Sequence, residues 1–253
     1  WMGKSGGFYA YDGGSVKKIT CSVEDFVFTT QTSDDLGFNF GQSEQVFAGY
    51  NTLFTEINWF YCKDGSTQID RCVTLNYREG LWTTSSLART AYSDKYVLDN
   101  PYATEYNATG LPSVSINGIT NEFGAAILYK HETGNNQLDV LGNKTAINAF
   151  IESGDFEMTM EGTAGEFFTK IRRFIPDFGK LDGNARVTIN LKDFPSETEA
   201  SSPLGPFTVT SSTKKVDTRA RGRLASLKIE NTSTDESWRF GAFRADVQPD
   251  GRR

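Results

Sequence analysis

Short runs rich in Val, Ile, Thr, Phe and Tyr, each broken within a few residues by Gly, Asn, Asp or Ser, follow one another along the whole chain. Almost no segment carries the apolar period of a helix, so burial must come from strands and the expected fold is all-β. In the first half a strand with two aromatics runs into a polar turn at Phe8-Tyr9-Ala10-Tyr11-Asp12-Gly13-Gly14 and again at Trp59-Phe60-Tyr61-Cys62-Lys63-Asp64-Gly65. A weaker copy lies at Ile127-Leu128-Tyr129-Lys130-His131. Between the last two, Val73-Thr74-Leu75-Asn76-Tyr77-Arg78-Glu79-Gly80-Leu81-Trp82 reads as strand, tight turn, strand. Units of about 50–70 residues that bury their faces on one another resemble propeller blades, so residues 1–148 are read as a propeller-like domain. So few blades cannot close a ring, and the chain opens mid-pattern at Trp1. The expectation is therefore a C-terminal piece of a longer protein, with further blades before Trp1.

Around residue 148 the pattern changes. Phe156, Met158 and Met160 alternate with Glu157, Thr159 and Glu161, and Ala185, Val187, Ile189 and Leu191 alternate with Arg186, Thr188, Asn190 and Lys192. Phe207-Thr208-Val209-Thr210 and Phe243-Arg244-Ala245-Asp246-Val247 continue the same period of two. Strands apolar on one face and polar on the other predict an antiparallel β-sandwich-like domain over residues 149–253. The proline-bearing stretch 194–206 reads as a long connection between its strands.

The function classes narrow quickly. A single histidine, His131, removes most Ser-His-Asp, Cys-His and His-rich metal chemistry. Catalysis would have to run on paired carboxylates, and the pairs Glu24-Asp25, Asp34-Asp35 and Asp235-Glu236 lie in turn-like contexts, where acids bond local backbone N–H groups. No loop carries the calcium-binding pattern, and no Gly-rich loop opens a helix to cradle a phosphate. His131, just before a Gly-Asn-Asn turn, reads as a solvent-exposed turn residue. The aromatics Trp59, Phe60 and Tyr61 could stack on sugars or bases, but strand alternation puts them on both faces, so at least one side is core. Cys21, Cys62 and Cys72, odd in number and poorly spaced for zinc, are read as free thiols. No segment approaches the roughly 18 apolar residues of a membrane helix. The sequons at Asn107, Asn143 and Asn231 carry little weight without a secretory route. The expectation is a non-enzymatic protein with no cofactor, no metal and no membrane span.

Charge is unevenly spread. Residues 1–200 hold 16 Lys/Arg against 26 Asp/Glu, net −10, whereas residues 201–253 hold 10 against 6, net +4. An acidic majority argues against tight nucleic-acid binding, which is driven by counterion release onto Lys and Arg. The basic tail contains the sharpest local feature, Arg219, Arg221 and Arg223, whose spacing of two makes a row of guanidinium forks suited to carboxylates or phosphates. These three are the candidate subunit or domain interface. They share strand parity with the inward set Ala225, Leu227 and Ile229, and three buried unpaired guanidinium groups would cost several kcal/mol each. A bulge or break over residues 221–224, aided by Gly222, is therefore predicted, with the arginines paired to carboxylates of an adjoining domain or subunit.

The opening Trp1-Met2-Gly3-Lys4 with Gly7-Phe8-Tyr9-Ala10-Tyr11-Asp12-Gly13 carries a resemblance. So do Cys21-Ser22-Val23-Glu24-Asp25-Phe26-Val27-Phe28, Phe47-Ala48-Gly49-Tyr50-Asn51 and Glu56-Ile57-Asn58-Trp59-Phe60-Tyr61. Together with Asn76-Tyr77-Arg78-Glu79-Gly80-Leu81-Trp82, Arg219-Ala220-Arg221-Gly222-Arg223, Trp238-Arg239-Phe240-Gly241 and the closing Gln248-Pro249-Asp250-Gly251-Arg252-Arg253, the chain resembles the tail nozzle, or tail tubular, proteins of short-tailed bacteriophages and prophages. The resemblance implies a structural virion protein, assembled in the host cytoplasm as a homo-oligomeric ring. It would adjoin portal or adaptor and tail fibre or receptor-binding proteins, and DNA would pass through without tight binding. It supplies no catalytic residues. The rival reading is a glycan-binding or glycan-degrading tail component.

Overall fold

The computed structural model describes residues 1–29, 37–106, 114–116, 119–121, 126–139, 142–157, 167–196 and 203–252. Asp34-Asp35, the Met158/Met160 stripe and the Asn107 sequon lie outside the described residues. The chain is nearly all β in several antiparallel sheets, and it divides into two compact units, Trp1–Thr133 and Gly134–Arg253.

In the first unit β1 (Phe8–Tyr11) and β2 (Val16–Ile19) form a hairpin. Asp12 closes it by accepting from the N–H groups of Gly14 and Ser15, while Gly13 takes the positive φ that the turn needs. A one-turn helix, α1 (Glu24–Phe28), and a 3-10 segment (Phe40–Gln45) lead into β3 (Phe47–Asn51), β4 (Glu56–Tyr61), β5 (Arg71–Asn76) and β6 (Leu81–Ser85). These four strands form an antiparallel meander in sequence order. Its last turn is built by Asn76, whose Oδ1 accepts from Arg78 and Glu79 N–H. Then come β7 (Ala91–Ser93), β8 (Tyr102–Tyr106), β9 (Val114–Ile116), β10 (Ile119–Asn121) and β11 (Ala126–Lys130). β9 pairs with β10, and β8 lies between β7 and β11. A four-stranded meander has the strand order of one propeller blade. Its neighbours here are two- and three-stranded sheets, so the repetition expected over residues 1–148 is realised in one sheet among the described residues.

That meander is buried on both faces. Trp59 and Tyr61 join Phe8, Val27, Phe38, Val73, Leu75 and Trp82 on one side, whereas Phe60, Cys62, Ile69 and Cys72 pack with Phe47, Leu87 and Tyr92 on the other. The sequence suggested core on at least one side, and both sides are core. Tyr92 comes close enough to β3 that a Cβ on Gly49 would lie 2.6 Å from its ring. Gly49→Ala is therefore expected to lower stability by about 1–3 kcal/mol through overpacking. Urea unfolding checks this; an unchanged midpoint would mean that the ring can step aside.

The second unit contains β12 (Asn136–Leu138), β13 (Lys144–Ala146), β14 (Phe150–Glu152), β15 (Phe156–Glu157), β16 (Phe167–Asp182), β17 (Asn184–Lys192), β18 (Leu204–Thr210), β19 (Val216–Gly222), β20 (Leu224–Glu230) and β21 (Ser237–Arg252). One sheet runs β14-β20-β17-β18, with β15 also on β20; the other runs β19-β16-β21. Ile171, Phe174 and Ala220 of the second sheet meet Ala185, Val187, Ile189, Leu191, Val209, Ala225, Leu227 and Ile229 of the first in one core. This is the sandwich arrangement expected from the period-two pattern, and β17 alternates as its sequence requires. The hairpin β12–β13, placed before residue 148 by the sequence reading, falls in this unit. It is tied there through Asp235, which bonds Asn136 and pairs with Lys144 at 2.8 Å.

Candidate functional site

The arginine row lies where the chain passes from one sheet of the sandwich to the other. β19 ends at Gly222, β20 begins at Leu224, and Arg223 is the break between them, inside the predicted window. Parity changes across it. Thr218, Ala220 and Gly222 turn inward on β19, leaving Arg219 and Arg221 exposed, while Ala225, Leu227 and Ile229 are the inward set on β20. Gly222 packs closely here: a Cβ there would come within 3.2 Å of Leu191 Cβ, so that side chain would have to give by a few tenths of an ångström.

The arginines do not act as three equivalent forks. Arg221 donates from Nε to Asp250 Oδ2 at 2.7 Å, and its guanidinium lies 4.1 Å above the buried Phe168 ring. Its carboxylate partner is thus on β21 of the same unit, which corrects the expectation of pairing outside it for this residue. Both partners are nearly half exposed, so the pair itself contributes no more than about 1 kcal/mol. Arg223 stacks near Phe168 and Phe194, at 4.9 and 5.5 Å. Arg219 stays exposed on the outer face.

His131 is not the solvent-exposed turn residue read from the sequence. The Nε of the buried Arg89 donates to His131 Nε2 at 3.0 Å, which fixes the neutral Nδ1–H tautomer. Arg89 also pairs with Glu105 at 3.1 Å and lies over the Tyr129 ring at 4.0 Å. Burial, followed by the neighbouring guanidinium, pulls the His131 pKa down to about 4. The imidazole serves as a fixed acceptor for a buried cation.

A second polar centre links β3, β4 and the end of β11. The buried Asn51 amide donates to Glu132 Oε1 at 3.1 Å and, at the limit of reach, to Glu56 Oε2 at 3.5 Å. Burial raises the pKa of both carboxyls, and the charge of Glu132 adds to the rise at Glu56. Nearby, Thr52 donates from N–H and hydroxyl to Asp94 Oδ1. Two acids that share one amide, each with its carboxyl pKa raised by burial, are the minimum that acid catalysis asks of a pair. Sequence reasoning missed both centres because their members are far apart along the chain; the positive φ of Thr55, beside Glu56, and of Glu132 mark the spot in the backbone but not in the sequence.

The remaining candidates are structural. Glu236 accepts from the backbone N–H groups of Thr232 and Ser233, as expected of a turn acid, whereas Glu24 opens helix α1 rather than a turn and pairs with the Lys18 side chain. The three thiols are unpaired, and burial pushes Cys62 up to about 11 and Cys72 up to about 12. Among the described residues no group of three His, Cys, Asp or Glu is placed to hold a metal ion, and no helix is long and apolar enough to cross a membrane. An open depression is lined by Trp1, Gly3, Lys4, Ser5, Tyr9 and Val16, none of which belongs to either polar centre. Neither a protein-family model nor a curated protein matches the chain.

Proposed function

We propose that the chain is a structural component of a bacteriophage tail, of the nozzle or tubular kind. In this reading copies pack into a ring around the DNA-ejection path and bind portal or adaptor and fibre proteins. The observation that carries the reading is the use made of the residues behind the resemblance. Phe8, Trp59, Tyr61 and Trp82 fill one core, Phe60 and Phe47 fill the opposite one, Gly49 admits Tyr92, and Asn76 makes a turn. These are the tasks of a building block. An acidic excess also suits a channel through which DNA must slide without adhering.

Electron microscopy of purified particles tests the proposal. Copies of the chain arranged in a ring on the tail axis are expected; a single off-axis copy would overturn it. The Glu56/Glu132 pair favours the glycan-degrading alternative. Release of reducing ends from host polysaccharide, lost in Glu132→Gln, would select that reading instead.

A further inference from the structure

On the outer face of the sheet β19-β16-β21, charges are laid out in rungs. One rung is Asp217–Arg173–Asp246, where the arginine lies 3.7 and 3.6 Å from the two carboxylates. Towards the other end, Lys170 stands directly opposite Arg221 on β19 and opposite Gln248 on β21. Like charges directly across a ladder repel, and Asp250 relieves only Arg221. The register shift between Ile171 and Arg173 adds Arg172 to β16 as an exposed extra residue, and Arg219 is exposed two positions before Arg221. Among the described residues, Lys170, Arg172 and Arg219 make no ion pair.

From this cluster we infer a docking surface for carboxylates of a neighbouring polypeptide, with Arg172 and Arg219 as its forks and Lys170 as a point charge between strands. Guanidinium groups on a rigid sheet face are suited to bidentate carboxylate pairing. Nucleic acid fits less well, because Asp217, Asp246 and Asp250 share the face. A continuous phosphate backbone laid across it would meet these acids as well as the cations, whereas a protein partner can set acids against cations one by one. The inference deepens the tail reading and rests on it for where the neighbour is found, not for the chemistry of recognition.

The test uses the full chain and a fluorescent polyglutamate peptide, followed by anisotropy at low salt. Arg172→Ala with Arg219→Ala is expected to weaken binding roughly tenfold, about 1.4 kcal/mol, while thermal melting and the control Arg78→Ala leave the wild-type values unchanged. Peptide affinity unaffected by the double substitution overturns the inference. So does a DNA duplex of equal charge bound as tightly as the peptide, or no binding of the peptide at all. Particle microscopy fails or succeeds separately, so loss of the docking surface and loss of the tail assignment are distinguishable.

Discussion

Replacing Phe60 by alanine is expected to remove about 3–5 kcal/mol of stability from the first unit. The ring is fully buried, stacked on Phe47 at 4.9 Å and tilted against Tyr92 at 5.9 Å, so truncation leaves a cavity bounded by two sheets. Domains are stable by only about 5–15 kcal/mol in total, so the variant sits close to unfolding at room temperature. Phe60→Leu, which keeps most of the volume, is expected to lose about 1–2 kcal/mol and gives a measurable midpoint if the alanine form does not fold. Urea unfolding followed by tryptophan emission reads the effect, because Trp59 and Trp82 lie in the adjoining core. Phe150→Ala, in the second unit and mostly exposed, should change the midpoint by less than about 0.5 kcal/mol. Equal losses at the two positions would contradict the two-faced burial of the meander.

Acidification should destabilise the first unit through His131. Its pKa falls from 6.5 to about 4 on folding, so over that interval the unfolded chain binds a proton that the folded chain refuses. Stability is therefore fully present above pH 6.5 and is lost as pH falls towards 4. The linked loss is at most about 3 kcal/mol, and about 2 kcal/mol after allowance for solvent screening. Glu56 and Glu132 act with the opposite sign. Their pKa values are raised above 4.5 on folding, so the contribution present in acid is lost as pH rises through the raised values. Asp12 titrates lower, between 3.8 and about 2, outside the histidine window. His131→Gln, which can accept from Arg89 but cannot take up a proton, is expected to abolish the loss between pH 6.5 and 4. The urea midpoint of wild type and variant across that range is the measurement, and parallel profiles would refute the assignment.

Local pattern was a good guide wherever one face of a strand meets water. The alternation of Ala185, Val187, Ile189 and Leu191 on β17 is legible because each intervening residue is polar, and the parity conflict around Gly222 located the break at Arg223. It was a weaker guide where a sheet is covered twice. Trp59-Phe60-Tyr61-Cys62 shows no alternation because neither face is wet, so sequence alone could not say which neighbours cover each face. The polar centres were beyond local reading for a different reason. Arg89 and His131, or Asn51 and Glu132, are joined only by tertiary pairing of sheets, and each residue taken singly looks like an ordinary surface group. The same holds for Asp250, whose pairing with Arg221 depends on the register of the long β16–β21 ladder.

The break at Arg223 has a mechanical consequence. β19 hydrogen-bonds into one sheet and β20 into the other, joined by a single residue. A pull along the polypeptide at this corner loads both ladders in shear at once, so their hydrogen bonds resist as groups rather than opening one after another. Resistance to such a pull is governed by the rate of crossing the unfolding barrier rather than by equilibrium stability.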